Sequence, residues 1–120
     1  MFAFIASEIR RIGNTCTWSW EGWCAAWASE KSLRQWSVVN VLSAALAFYL
    51  PLSTAERALV LGFGLLVLVA ELLNTAIEEV VDYISTEHNP HAKKAKDVGS
   101  AVVAVTAIAG GVVWLVILIG

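Results

Sequence analysis

AELLNTAIEEVVDYI, residues 70–84, follows an apolar run and places Glu71, Asn74, Glu78, Glu79 and Asp82 within twelve positions. At about 100° per residue, Glu71, Asn74, Glu78 and Asp82 fall at about 0°, −60°, −20° and +20° around a helix, while Glu79 falls near 80°. The first four make one polar stripe ~16 Å long, and Glu79 stands outside it. An acid at membrane depth costs on the order of 2–3 kcal/mol on insertion scales. A single such glutamate is as readily a partner in a structural hydrogen bond between helices. Four polar groups in register on an apolar helix point instead to a functional site. Carboxylates on one face repel unless a cation sits among them. Hard oxygen donors suit Mg²⁺, which keeps several waters and takes one or two carboxylates with substrate phosphates.

The rest of the chain puts that helix in a bilayer. The 120 residues make one domain at most, 58% of them apolar and only 15% charged, with a formal net charge of −2. A soluble domain this small buries a low fraction of its surface and could not hide so much hydrocarbon. Apolar segments at 36–50, 58–73 and 98–119 approach the ~20 residues a spanning helix needs. Helical spans are expected at about 34–50, 57–83 and 91–119, after an arm over about 1–33. Pro51 ends the first, and Ser53 with Glu56 has capping-box spacing for the second. Asn89 and Pro90 read as the N-cap and first residue of the third. The fold class is therefore an all-α membrane protein of three transmembrane helices with an N-terminal amphipathic interfacial helix.

Arg10, Arg11, Lys31 and Arg34 precede the first span, and Lys93, Lys94 and Lys96 separate the second from the third. The 51–57 turn carries only Arg57. Positive-inside counting puts the N-terminus and the 83–97 loop in the cytoplasm and the C-terminus outside. In the arm, Phe2, Ile5, Ile9 and Ile12 share a helical face, and Trp20, Trp23 and Trp27 repeat the pattern. Five of the six tryptophans lie at or before the start of the first span, as membrane anchors at headgroup level would. "MFAFIA" precedes the first charges instead of following a basic region, so it does not read as a cleavable signal. Cys16 and Cys24 have neither CxxC nor zinc-finger spacing and are assigned no chemistry.

A second motif, KKAKDVGSA (93–101), opens the third span on the cytoplasmic side. Lys96 is placed to meet the stripe as a phosphate-binding point charge, with Asp97 orienting it or joining a metal shell. Lys93 and Lys94 read as positive-inside anchors. No phosphate-loop motif is present, and Gly62, Gly64, Gly110 and Gly111 read as close-packing or conformational devices in apolar runs. EHNPH (87–91) is a weak pattern for a structural metal.

AELLNTAIEEVVDYISTEHNPHAKKAKDVGSAVV (70–103) closely resembles the signature region of the small bacterial integral-membrane diacylglycerol kinases, a family that includes undecaprenol kinases. ELLNTAIE, Asp82 and AKDVGSA are its most specific parts. WEGWCAAWASE and LRQW extend the likeness into the arm, so it covers nearly the whole chain. The resemblance implies that Glu71 is the catalytic base and that Glu30 and Glu78 hold the divalent ion, Mg²⁺, with ATP. It implies nucleotide contacts for Arg11, Trp18, Asp82, Lys96 and Asp97, with Glu87, His88 and Asn89 bordering the nucleotide. Arg11, Asn74 and Ser100 would meet the lipid beside Glu71. It further implies a homotrimer with active sites shared between subunits, in the bacterial inner membrane. Asn14 and Glu21 stand where well-known members carry basic residues, and Trp36 stands where they carry an acid.

The reaction expected is transfer of the γ-phosphoryl of MgATP to the hydroxyl of diacylglycerol, giving phosphatidic acid and ADP. Phosphoryl transfer needs positioning and charge neutralisation more than covalent help. Two rivals remain at this level: undecaprenol as the lipid, or a small proton-coupled transporter. A transporter needs acids near mid-bilayer with access from both sides, whereas these trail to one interface and end beside Lys96. No nucleic-acid partner is indicated.

Overall fold

Leu50 precedes Pro51 and is pushed out of the helical region (φ −77°, ψ 150°), which ends one helix; three residues later Ser53 starts the next. Ser53 Oγ accepts from the Glu56 amide at 3.1 Å, and Glu56 Oε2 accepts from the Ser53 amide at 3.4 Å, closing the capping box. At the following break Asn89 Oδ1 accepts from the His91 amide at 2.8 Å, with Pro90 as the first helical residue. The computed structural model describes residues 1–120 as four helices and no strand: α1 (Phe2–Ser29), α2 (Lys31–Tyr49), α3 (Thr54–Ile84) and α4 (Pro90–Ile119).

Two boundaries differ from expectation for one reason. The arm ends at Ser29, not near residue 33, and α2 begins at Lys31 after a single extended residue, Glu30 (φ −106°, ψ 106°). Neither Gly nor Pro marks the break. Arg34 holds it: Nη1 donates back to the carbonyls of Trp27 and Ala28 and so satisfies the end of α1. Length and apolarity sufficient to cross a membrane are found in α3 and α4, not in the three helices expected. The 19-residue α2 carries Lys31, Arg34 and Asn40 and falls short of that standard.

α3 is the centre of the bundle and packs against both α2 and α4. Leu33 and Ala47 of α2, Val60, Val67 and Ala70 of α3, and Val103 of α4 form the small core, and only 9 of the 120 residues are buried. Large apolar side chains of every helix face outward, an exterior of the kind that lipid or further protein covers. α1, about 42 Å long, touches the bundle at its C-terminal end, where Ala26 is its one buried residue. The molecule measures 52 × 48 × 23 Å, so the arm stands well away from the bundle axis. Trp23 and Trp27 stack along it at 5.9 Å.

Of the four glycines read as packing devices, Gly64 acts so within one chain: a Cβ there would strike Asn40 Oδ1, whereas one at Gly62, Gly110 or Gly111 would meet nothing within 4 Å. Asn40 in turn donates to the Trp36 carbonyl at 3.0 Å, and Trp114 Nε1 of α4 donates to Ser43 Oγ of α2 at 2.8 Å. Arg57 closes the α2–α3 turn. Its Nε donates to the Ala47 carbonyl at 3.0 Å, Nη2 donates to the Leu52 carbonyl at 3.3 Å, and its guanidinium lies 5.1 Å from the centre of the Phe48 ring.

Candidate active site

The 3.6-residue period of α3 carries Glu71, Asn74, Glu78 and Asp82 up the seam between α2 and α4, and each finds a different neighbour. Glu71 is 4% exposed, the only buried charged residue of the chain. Its Oε2 accepts from Ser32 Oγ of α2 at 3.0 Å. Thr75 Oγ1 returns a local bond to the Glu71 carbonyl at 3.0 Å. One turn on, Asn74 Nδ2 donates to Glu78 Oε1 at 3.3 Å, while Asn74 Oδ1 is buried with no hydrogen-bond partner. It lies against Gly99 of α4, where an added Cβ would run into it and come within 3.5 Å of Ile77 Cδ1. Gly99 therefore lets α4 approach α3 closely enough to enclose the asparagine. Glu79 is exposed and outside the stripe.

At the outer end Lys96 of α4 reaches across to α3, its Nζ 2.6 Å from Asp82 Oδ1. Lys96 and Asp97 do not act as the expected pair. Neighbours on a helix point about 100° apart, so Asp97 turns away from α3 and takes Lys93 one turn below it, at 2.5 Å. A cleft of about 220 Å³ opens beside the Asp82–Lys96 pair, lined also by Glu87, His88 and Asn89. The loop residues singled out in the sequence thus share one concavity with the outer end of the stripe. Asn89 Oδ1 is already engaged in capping α4.

Other expected members stand apart within one chain. Arg11 is exposed on α1 and paired with Glu8 at 2.6 Å, about 28 Å along the helix from Glu30; Trp18, also exposed, is about 18 Å away. Glu30 is half-buried at the helix break, accepting from Ser29 Oγ at 3.2 Å. Ser100 is exposed on α4, next to Gly99. No three of His, Cys, Asp and Glu gather as a metal-binding group, so Glu30 and Glu78 form no closed cage. Cys16 and Cys24 are exposed free thiols.

Ser32 was not legible as a site residue. It lies 39 residues from Glu71, and no spacing rule connects the two. Its position two residues past Glu30, in the first turn after the arm, was the one available pointer. An apolar cavity of about 220 Å³ elsewhere in the bundle, between Trp36, Phe63 and Trp114, holds no ionisable group and is no candidate for the chemistry.

Residues 17–118 match the family model described as Prokaryotic diacylglycerol kinase. A protein of Pseudomonas aeruginosa named diacylglycerol kinase is 45% identical over 114 residues, covering 93% of this chain and 91% of the relative. The diacylglycerol kinase of Escherichia coli K12 is 37% identical over 108 residues, covering 90% and 88%. That of Helicobacter pylori J99 is 34% identical over 109 residues, covering 91% and 85%.

Proposed function

This chain belongs to the prokaryotic diacylglycerol kinase family and is a lipid kinase; we propose that it transfers the γ-phosphoryl group of MgATP to the primary hydroxyl of diacylglycerol, giving phosphatidic acid and ADP. The observation that carries this reading is the burial of Glu71 at the inner end of a polar stripe that reaches the Asp82–Lys96 pair and the loop cleft. A lipid hydroxyl can come to the inner end from the bilayer, and a nucleotide can come to the outer end from water.

Glu71 takes the proton of the acceptor hydroxyl as its oxygen bonds to the γ-phosphorus and the bond to the bridging oxygen of ADP breaks. Asn74 steadies the reacting groups between Glu71 and Glu78. Lys96 offers a point positive charge to the phosphates, and Asp82 holds it at the mouth of the cleft. Glu87, His88, Asn89 and Asp97 border the nucleotide, and Ser100 meets the lipid. Glu30 and Glu78 would hold Mg²⁺ with the ATP phosphates, which supplies charge neutralisation at the transferring group. Two carboxylates with substrate oxygens satisfy a Mg²⁺ ion, so a closed protein cage is not required.

The working unit proposed is a homotrimer in the bacterial cytoplasmic membrane, with α2, α3 and α4 crossing it and the site at the cytoplasmic face. The exposed apolar sides of the bundle support it, as do Arg11 and Trp18, which stand exposed on the arm about 28 and 18 Å along α1 from Glu30, because a neighbouring chain's arm could supply both. The test is transfer of radiolabelled phosphate from ATP in mixed micelles holding either diacylglycerol or undecaprenol. Faster labelling of diacylglycerol is expected. Preference for undecaprenol would replace the lipid assigned, and labelling of neither would overturn the reaction.

A further inference from the structure

The hydroxyls of Ser7, Thr15, Thr17, Ser19 and Ser37 all return to a carbonyl three or four residues back in their own helix. Ser32 does not. Standing in the first turn of α2, it crosses to α3 and donates to Glu71 Oε2 at 3.0 Å, the one side-chain hydrogen bond that the Glu71 carboxylate receives. The serine is itself well fixed. Leu33 beside it is fully buried, Ala26 at the end of the arm is 6% exposed, and Arg34 ties α2 back to the carbonyls of Trp27 and Ala28 across the Glu30 break.

A buried carboxylate with no donor is costly, and rotation about its terminal bond is soft. One fixed donor answers both problems: it satisfies one oxygen and sets the plane of the group. Oε1 takes no hydrogen bond from the protein, yet it is not among the fully enclosed polar atoms left without a partner; Asn74 Oδ1 alone is. One oxygen is thus occupied and the other available.

We propose that Ser32 is a positioning residue for phosphoryl transfer, its hydroxyl holding Glu71 Oε2 so that Oε1 faces the acceptor hydroxyl of the lipid. This rests on Glu71 acting as the base. It assigns a catalytic purpose to the α1–α2 junction: the arm's end, through the short step from Glu30 to Ser32, fixes the carboxylate as well as anchoring the chain.

The test uses the full-length enzyme in mixed micelles, with kcat, the lipid KM and directly measured MgATP binding for Ser32→Ala, Ser32→Thr, Glu71→Gln and the Ser32→Ala/Glu71→Gln double variant. Ser32→Ala should lower kcat roughly 10- to 100-fold, the range for a hydrogen bond to a charged group, with MgATP binding unchanged. Ser32→Thr keeps the hydroxyl and should recover most of the rate. The double variant should be no slower than Glu71→Gln alone, because Ser32 acts only through that carboxylate. Full kcat in Ser32→Ala beside a collapsed Glu71→Gln would overturn the positioning role and leave the base assignment standing. Equal loss in the Ala and Thr variants, with further loss on top of Glu71→Gln, would mark a packing role and overturn it too. Near-normal kcat in Glu71→Gln would remove the base assignment, and this inference with it.

Discussion

Glu71 and Asn74 are enclosed in different ways, and that separates their expected failures. Glu71 lies at the buried inner end of the stripe, the end proposed above for the lipid hydroxyl and not for the nucleotide. Glu71→Gln should therefore lower kcat by about 10²–10⁴-fold, the usual contribution of a general base, while MgATP binding stays unchanged in a variant that remains assembled in detergent. Asn74 depends on a glycine. The Cβ of Gly99→Ala would displace its amide, so activity should fall at least about tenfold, and the same change in an Asn74→Ala background should cost little more. At the outer end, Asp82 and Lys96 are roughly half exposed, so their ion pair contributes little to stability. Asp82→Asn should then be read in weaker nucleotide binding with thermal stability nearly intact. Glu30→Gln or Glu78→Gln should weaken the dependence of rate on Mg²⁺ concentration, and an unchanged titration in both would remove them from the metal shell.

Among the helices, the junction with the most side-chain bonding is the α2–α3 turn. Two carbonyls, an aromatic face and a capping box converge there on Arg57 and Ser53. Ser53→Ala should cost about 1 kcal/mol, a typical N-cap loss, seen as a lower midpoint in denaturing detergent. Arg57→Ala should lower that midpoint further. Arg57→Lys should fail to restore it, because an ammonium cannot serve both carbonyls in the fork geometry of a guanidinium. By contrast, the α1–α2 break has no cap from its own N-cap side chain and depends on Arg34. The α3–α4 connection was readable because Asn89 and Pro90 act locally. The Glu30 break was not, because what stabilises it comes from a residue on its far side and from burial of Leu33 against the bundle.

For the molecule in its membrane, the basic residues set the expected orientation. In a background lacking the exposed Cys16 and Cys24 thiols, a cysteine at Thr54 should label rapidly in intact cells and one at His91 should not; equal labelling would sink the three-span arrangement. The sharing of sites between chains proposed above has its own signature. Mixed oligomers of Arg11→Ala and Glu71→Gln chains should recover activity that neither variant has alone, because one chain would bring the arm and another the base. No recovery would place Arg11 outside the site.

The sequence by itself determined the elements whose causes are local. The capping residues at Ser53 and Asn89, the helical period that aligns Glu71, Asn74, Glu78 and Asp82, and the motifs shared with a kinase family are all written within a few neighbouring turns. The tertiary structure decided what depends on distant pairs. It chose Asp82 as the partner of Lys96 and sent Asp97 to Lys93, because helix azimuth overrides adjacency in sequence. It closed Gly99 over Asn74 and brought Ser32 to Glu71 across 39 residues. Such contacts follow from how three helices pack, and no repeat within any one of them encodes which hydroxyl will face a buried carboxylate.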